Sequence, residues 1–201
     1  MSEAGTNQVK AIIFDCFGVL VGDRWLVFKQ KKFKDDPEKL ARATELRRQA
    51  DGNKISRDDF HREVSQLAGI TEQAMADEID SSTNVADQDV LKYVSELKKD
   101  YKIGFLSNAS KNYLGVFFTP EQQAYFDKVA ISYQTGFVKP DPNAYIDIAT
   151  KLDTPIEQCL LIDDQPAYCE GAKAVGMKVV QYTDLNKLKT DIQAIINRNI
   201  Y

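Results

Sequence analysis

Three acidic residues in this 201-residue chain stand where apolar runs stop. "VKAIIFD" ends in Asp15, "KIGFLSN" in Ser107 and Asn108, and "CLLID" in Asp163, with Asp164 next. Lys139 lies in "GFVKPDPNAY", after the run "KVAIS". If these runs are strands of one sheet, their ends converge on a single crevice and bring the polar groups together. Two carboxylates about 5 Å apart repel by roughly 3 kcal/mol at an effective dielectric near 20, so three acids need compensation. Lys139 supplies one positive charge. A divalent cation would supply the rest, and hard oxygen ligands of this kind suit Mg²⁺, which accepts a few carboxylates, waters and a substrate phosphate. The alternative for Asp163 and Asp164 is a purely local role, as an N-cap pair ahead of a helix opening at Pro166.

The elements that must position these groups are legible as short apolar, β-branched runs alternating with longer amphipathic segments, the pattern of a parallel sheet covered by helices. Strands are expected at 9–15, 102–108, 128–132, 159–163 and 178–182. Helices are expected near 87–99, 111–124, 142–152, 166–175 and 184–198. Right-handed crossovers then build an α/β, Rossmann-like, doubly wound sheet. Residues 23–85 break the alternation, offering only helical patterns: "RWLVFKQKKF", "PEKLARATELRRQA", "SRDDFHREVSQLAGI" and "EQAMADEI". The division is a discontinuous core, 1–22 and 86–201, with an inserted all-helical cap at 23–85. Entering after the first strand, the insertion would sit over the carboxyl ends of the strands as a lid; the alternative is a decoration without ligand contact. "DGNK" (51–54) and "DSSTN" (80–84) are the expected breaks within it and at its return.

A chain with 43% hydrophobic residues can build a packed core. With 26 basic against 30 acidic residues there is no electrostatic case for non-specific nucleic-acid binding, which favours a small partner. "MSEAGTNQVK" has no apolar leader segment, and no stretch reaches the roughly 18 apolar residues of a membrane span, so the expectation is a soluble, cytoplasmic protein. Cys16, Cys159 and Cys169 lack metal-ligand spacing and are expected to remain thiols. Strand alternation turns the Cys16 side chain away from Asp15.

"FDCFGVL", "FLSNAS", "VKPDPNAY" and "LLIDDQPAYCEGAKAVGM" resemble, in order and spacing, the four motifs of the haloacid dehalogenase-like (HAD) hydrolase superfamily, over roughly 9–22 and 86–185. The insertion resembles the family's helical C1 cap. The resemblance implies that Asp15 is the nucleophile of a covalent aspartyl intermediate. It implies that Ser107 hydrogen-bonds the transferring phosphoryl group with Asn108 close by, and that Lys139 offsets negative charge on the nucleophile and in the transition state. Asp163 matches a direct Mg²⁺ ligand, Asp164 a second ligand or a holder of its water shell, and the backbone carbonyl of Phe17 the remaining protein ligand beside Asp15.

Phosphatases of the family usually have Asp at the position of Phe17, where it protonates the leaving oxygen and then helps deprotonate water, help typically worth about 10² to 10⁴ in rate. Phe17 can do neither. Family dehalogenases carry an aromatic residue there, since halide leaves without a proton. They work without metal, however, and usually lack the acids matching Asp163 and Asp164. The expected activity is therefore a Mg²⁺-dependent hydrolase of a small phosphorylated metabolite with an atypical step; a 2-haloacid dehalogenase-type enzyme and a non-catalytic phosphate-ligand binder are the alternatives. A good leaving group, a proton from the turn or cap with Asp23 nearest in sequence, or slow turnover would each reconcile Phe17 with phosphatase chemistry.

Within the insertion, the Lys- and Arg-rich stretch containing "KQKKFK" is expected to be a solvated face, with steering of an anionic substrate as the alternative. Trp25, Phe28 and Phe33 are at helical spacing and expected in a core, with ligand contact as the alternative. His61, the only histidine, is expected at an exposed helix position.

Overall fold

The computed structural model describes residues 8–79 and 84–197. Strand β1 (Ala11–Phe14) leads into four helices, α1 (Arg24–Phe33), α2 (Pro37–Asp51), α3 (Arg57–Ala68) and α4 (Glu72–Ile79). The alternation then resumes with α5 (Gln88–Leu97) and β2 (Lys102–Ser107). After it come the short α6 (Leu114–Phe117) and α7 (Pro120–Gln123), then β3 (Lys128–Ile131), α8 (Ser132–Thr135), α9 (Pro142–Lys151), β4 (Cys159–Asp163), α10 (Pro166–Ala174), β5 (Lys178–Gln181) and α11 (Leu185–Asn197). All five strands are parallel, in the order β3-β2-β1-β4-β5.

Strand alternation sorts the sheet's side chains into two apolar layers. Ile12, Phe14, Leu160 and Ile162 face α5 and α11, through Val90, Val94, Leu188 and Ile192. Ala11, Ile13, Cys159 and Leu161 face α9 and α10, through Tyr145, Ile148 and Ala172. Helices cover both faces, so the strands read as continuous apolar runs, and the doubly wound reading holds. β1 lies at the centre of the sheet, and its carboxyl end is where the chain leaves for α1–α4.

Those four helices pack around an apolar cluster of their own, with Phe28, Phe33, Leu46, Phe60, Val64 and Met75 buried. Asp23, Asp36 and Ser56 cap the first three by accepting hydrogen bonds from the backbone N–H of Leu26, Lys39 and Asp59. The two connections to the sheet are stitched together. Val21 bridges to Ala86, Asn84 donates to the Gly22 carbonyl at 2.8 Å, and Arg24 donates to Asn84 at 3.0 Å.

Two expectations are corrected. The single helix near 111–124 is two single turns, because Phe118 is extended, Thr119 forms a capping box with Gln122, and Pro120 starts a new helix. His61 is half-buried against the Phe60 ring, 5.8 Å between centroids, rather than exposed. Of the expected break at 80–84, only Asn84 lies within the described residues; of the leader region read at 1–10, only 8–10 do. Among the described residues no helix is long and apolar enough to cross a membrane.

Candidate active site

The polar residues singled out in the sequence are carried by adjacent strand ends. Phe14 pairs with Phe105 on one side and Ile162 on the other, so Asp15, Ser107 and Asp163 all emerge at the carboxyl edge of the three central strands. Lys139 arrives from the loop after α8. Its ammonium donates to Asp15 Oδ1 at 2.8 Å and to Asp163 Oδ2 at 2.5 Å, and lies 5.0 Å from the centre of the Tyr168 ring. Asp15, Lys139 and Asp163 are 5%, 1% and 0% exposed.

Asn108 holds the lysine's backbone in place. Its Oδ1 accepts from Lys139 N at 2.8 Å and its Nδ2 donates to Lys139 O at 3.0 Å, a reciprocal clamp that fixes the base of the side chain. The Ser107 hydroxyl is buried and has no hydrogen-bond partner among the described residues. Cys16 is fully buried in the apolar layer with Val19 and Leu20, and burial pushes its thiol well above the ordinary value, as alternation predicts for a side chain on the inert side.

Three carboxylates share this pocket with one ammonium. Burial, reinforced by Asp163 and Asp164 and opposed by Lys139, raises the Asp15 carboxyl to about 8. Burial and the neighbouring Asp163 raise Asp164 to about 6. Burial disfavours the charge on Lys139, yet Asp15 and Asp163 together hold the ammonium above the ordinary lysine value. Ionised together, the three carboxylates would carry more negative charge than Lys139 compensates, and without a further cation the site relieves this by retaining protons.

Carboxylate oxygens of Asp15, Asp163 and Asp164 lie within 4.8 Å of one another, and Asp164 Oδ1 is buried with no hydrogen-bond partner among the described residues. An all-oxygen donor set with a surplus of negative charge and an unspent buried acceptor fits Mg²⁺. Gly18 makes room for the Asp164 carboxylate: a Cβ there would fall 2.5 Å from the carboxyl carbon, and its φ of +88° is one that glycine adopts readily. Neither acid of the pair is the N-cap itself. Gln165 is the N-cap residue of α10 and its side chain makes no cap bond, while Asp163 Oδ1 accepts from Gln165 N at 2.9 Å and Asp164 Oδ2 from Gln165 Nε2 at 2.6 Å.

Over the acids opens a cavity of about 310 Å³ between the sheet and α1–α2, lined by Asp15, Phe17 and Lys139 below and by Trp25, Arg47 and Asp51, among others, above. The Phe17 ring meets Tyr113 and Phe117 edge-on, 5.5 and 5.9 Å between centroids, forming an aromatic wall beside the acids.

A family model for haloacid dehalogenase-like hydrolases matches residues 9–176. The chain belongs to the HAD-like hydrolases. It is similar, at 24% identity over 94% of this chain and 100% of the relative, to a D-ribitol-5-phosphate phosphatase from Bacteroides thetaiotaomicron. Its fold matches that of a HAD family enzyme from the same organism, solved in complex with magnesium and inorganic phosphate, at TM-score 0.64 and 19% identity over 90% of this chain and 98% of that one. It also matches a 2-haloacid dehalogenase from Pseudomonas syringae pv. Tomato, at TM-score 0.62 and 14% identity over 95% and 99% of the two chains.

In this hydrolase, all the sequence-identified polar residues gather at one sheet edge. Several neighbours had not been singled out. Gly18 lay unremarked within a quoted motif, and Tyr168 carries no chemical signal in sequence. Arg47 and Asp51 stood in an ordinary amphipathic helix. Trp25 packs on Phe28 and Phe60, as the core reading expects, and also lines the cavity. The lysine-rich stretch divides likewise: Lys31 and Lys32 pair with Glu78, whereas Lys29 lines the cavity.

Proposed function

We propose that the protein is a Mg²⁺-dependent phosphatase of a small phosphorylated metabolite, acting through an aspartyl-phosphate on Asp15. The observation that carries this reading is the surplus negative charge of Asp15, Asp163 and Asp164, with Lys139 as the only cation bonded to them among the described residues. A metal-free site would relieve that surplus by keeping Asp15 protonated up to about pH 8, which suits a nucleophile poorly. The similarity to a protein named as a phosphatase, and to a fold solved with magnesium and phosphate, supports the same reading. The reading includes residues 23–85 as a cap over a core of 1–22 and 86–201, and a cytoplasmic location in keeping with three buried free cysteines.

Asp15, Asp163 and Asp164, with the Phe17 carbonyl, would hold Mg²⁺, which when bound screens the carboxylates and the phosphate oxygens from one another. An Asp15 oxygen attacks phosphorus and the bond to the leaving oxygen breaks. The Lys139 ammonium, already on Asp15, offsets charge on the nucleophile and the transferring group, and the Ser107 hydroxyl hydrogen-bonds that group. Water then attacks the phosphoryl group, releasing inorganic phosphate and regenerating Asp15, with the proton passing to solvent. Because Phe17 donates nothing, the leaving oxygen departs as an anion, and the rate follows its stability.

Phosphate release from alkyl, sugar, acyl and aryl phosphates, with Mg²⁺ or EDTA, for native protein and Asp15→Asn, tests this. Release that requires both metal and Asp15 and rises steeply with leaving-group acidity is expected. Release that survives Asp15→Asn or EDTA overturns the mechanism, and halide release from 2-chloropropionate in EDTA would establish the dehalogenase instead.

A further inference from the structure

The Lys139 ammonium has three N–H donors. Two are spent, on Asp15 Oδ1 and Asp163 Oδ2, and among the described residues the third has no hydrogen-bond acceptor. The lysine side chain is fully buried, and one of the surfaces that buries it is the ring of Tyr168, whose centre lies 5.0 Å from the ammonium. A ring face attracts a cation through its quadrupole yet is only a weak hydrogen-bond acceptor. It therefore holds the charge without consuming the third donor.

The fold goes to some length to keep that ring in place. Tyr168 stands in the first turn of α10, half-buried and lining the cavity. Its backbone carbonyl accepts from the hydroxyl of Tyr145 at 2.8 Å, a side chain buried in the apolar layer under α9, and its own hydroxyl hydrogen-bonds the Asn108 side chain. Gly171 follows three residues later on the same face of α10. A Cβ there would fall 2.8 Å from Pro140 Cβ and 2.8 Å from the Tyr145 hydroxyl, so the helix lies against the Lys139–Pro140 segment as closely as backbone permits. Asn108 grips the same segment from the other side.

We infer that Tyr168 is a positioning residue for the reaction: its ring face holds the Lys139 ammonium against Asp15 and Asp163 and leaves the third N–H for an oxygen of the transferring phosphoryl group. An aliphatic side chain in its place would leave that donor equally free but would not hold the charge. A cation–π contact shielded from water is worth roughly 5- to 30-fold in an equilibrium, and the loss should appear in turnover rather than in substrate capture. The destination of the third N–H rests on the phosphatase reading. The hold of the ring on the ammonium does not.

The test compares native protein with Tyr168→Phe, which keeps the ring and loses the hydroxyl, and Tyr168→Leu, which loses the ring and suits a helix. Heteronuclear NMR of the lysine ammonium groups in isotopically labelled protein reads the geometry, and steady-state phosphate release with Mg²⁺ reads its consequence. In native protein and Tyr168→Phe the ring current is expected to set the Lys139 ammonium protons upfield of the other lysines, and Tyr168→Leu is expected to return them downfield. Tyr168→Leu should lower kcat by about 10-fold with KM nearly unchanged, and Tyr168→Phe should stay within about 3-fold of native. A Lys139 signal that does not move in Tyr168→Leu overturns the inference, as does a Tyr168→Phe variant as slow as Tyr168→Leu, or a loss confined to KM. If native protein releases no phosphate at all, the phosphatase reading falls and takes the inference with it, whereas an unmoved signal in a protein that turns over sinks the inference alone.

Discussion

The carboxyl edge of the sheet and the helical insertion hold their charges in opposite ways. In the insertion, Arg48 pairs with Glu45 and Arg62 with Asp59 within one turn of helix, and Arg42 pairs with Glu63 and Lys31 with Glu78 across neighbouring helices, all on partly or fully exposed side chains. Such pairs are each worth about 0–1 kcal/mol and keep a helical surface solvated. At the sheet edge, Lys139 reaches carboxylates 124 and 24 residues away, and its side chain and that of Asp163 are fully buried. Buried charge of this kind is expensive and here does not balance. The contrast teaches that burial and charge imbalance coincide at the candidate site, whereas the exposed pairs of the insertion are local and balanced. Among the described residues of the insertion, Arg47 with Asp51 is a buried pair, and it faces the cavity.

The comparison can be broken first at Lys139. Lys139→Met should destabilise the protein by about 3–5 kcal/mol, the usual cost of removing one partner from a buried charge cluster, and should lower phosphate release by at least about 10²-fold. Urea unfolding and steady-state rates read the two losses; a variant of native stability would mean that the cluster is not energetically coupled.

Gly18 comes next. A Cβ at this position collides with the Asp164 carboxyl, so Gly18→Ala should weaken Mg²⁺ affinity by roughly 10–100-fold, the range seen when groups supporting a metal ligand are displaced. Calorimetric Mg²⁺ titration decides it, and unchanged affinity would remove Asp164 from the metal site.

A smaller effect follows from protonation. Asp164 and Asp15 titrate near 6 and 8 in the folded protein, against an ordinary value of 3.8. The metal-free fold therefore holds protons that the unfolded chain has released, and its stability falls as pH rises through 6 towards 8. Mg²⁺ should raise the melting temperature more at pH 8 than at pH 5. An equal rise at both would show that these carboxyls do not titrate in the site.

The smallest change is expected from Arg48→Ala, which removes an exposed pair with Glu45 and should cost no more than about 0.5 kcal/mol by urea unfolding. A loss above 1 kcal/mol would erase the distinction between the two regions.

Most of the architecture was readable because it rests on local rules. Apolar strands of four to six residues, helices begun by Asp23, Asp36, Ser56 and Asp141, and prolines at the first turns of α2, α9 and α10 are patterns of neighbouring residues. The error at 111–124 was also local, a failure to read Thr119 and Pro120 as a restart. His61 went wrong for another reason: its charged sequence neighbours say nothing of Phe60 or of the helices packed around it.

The convergence of the candidate residues was legible in the chain, since the end of an apolar strand is where a side chain can meet those of adjacent strands, and Asp15, Ser107 and Asp163 stand at such ends. What only the folded molecule decided was which charges are buried, how they are shared, and what stands opposite them. Asn108 grips the Lys139 backbone, Gly18 yields space to Asp164, and Phe17 joins an aromatic wall with Tyr113. The physical reason is distance along the chain. The carboxylate of Asp51 is paired by Arg47 one helical turn away, but its backbone is anchored by Ser132, 81 residues on, and no local pattern encodes a partner met only when helix and sheet close over the same cavity.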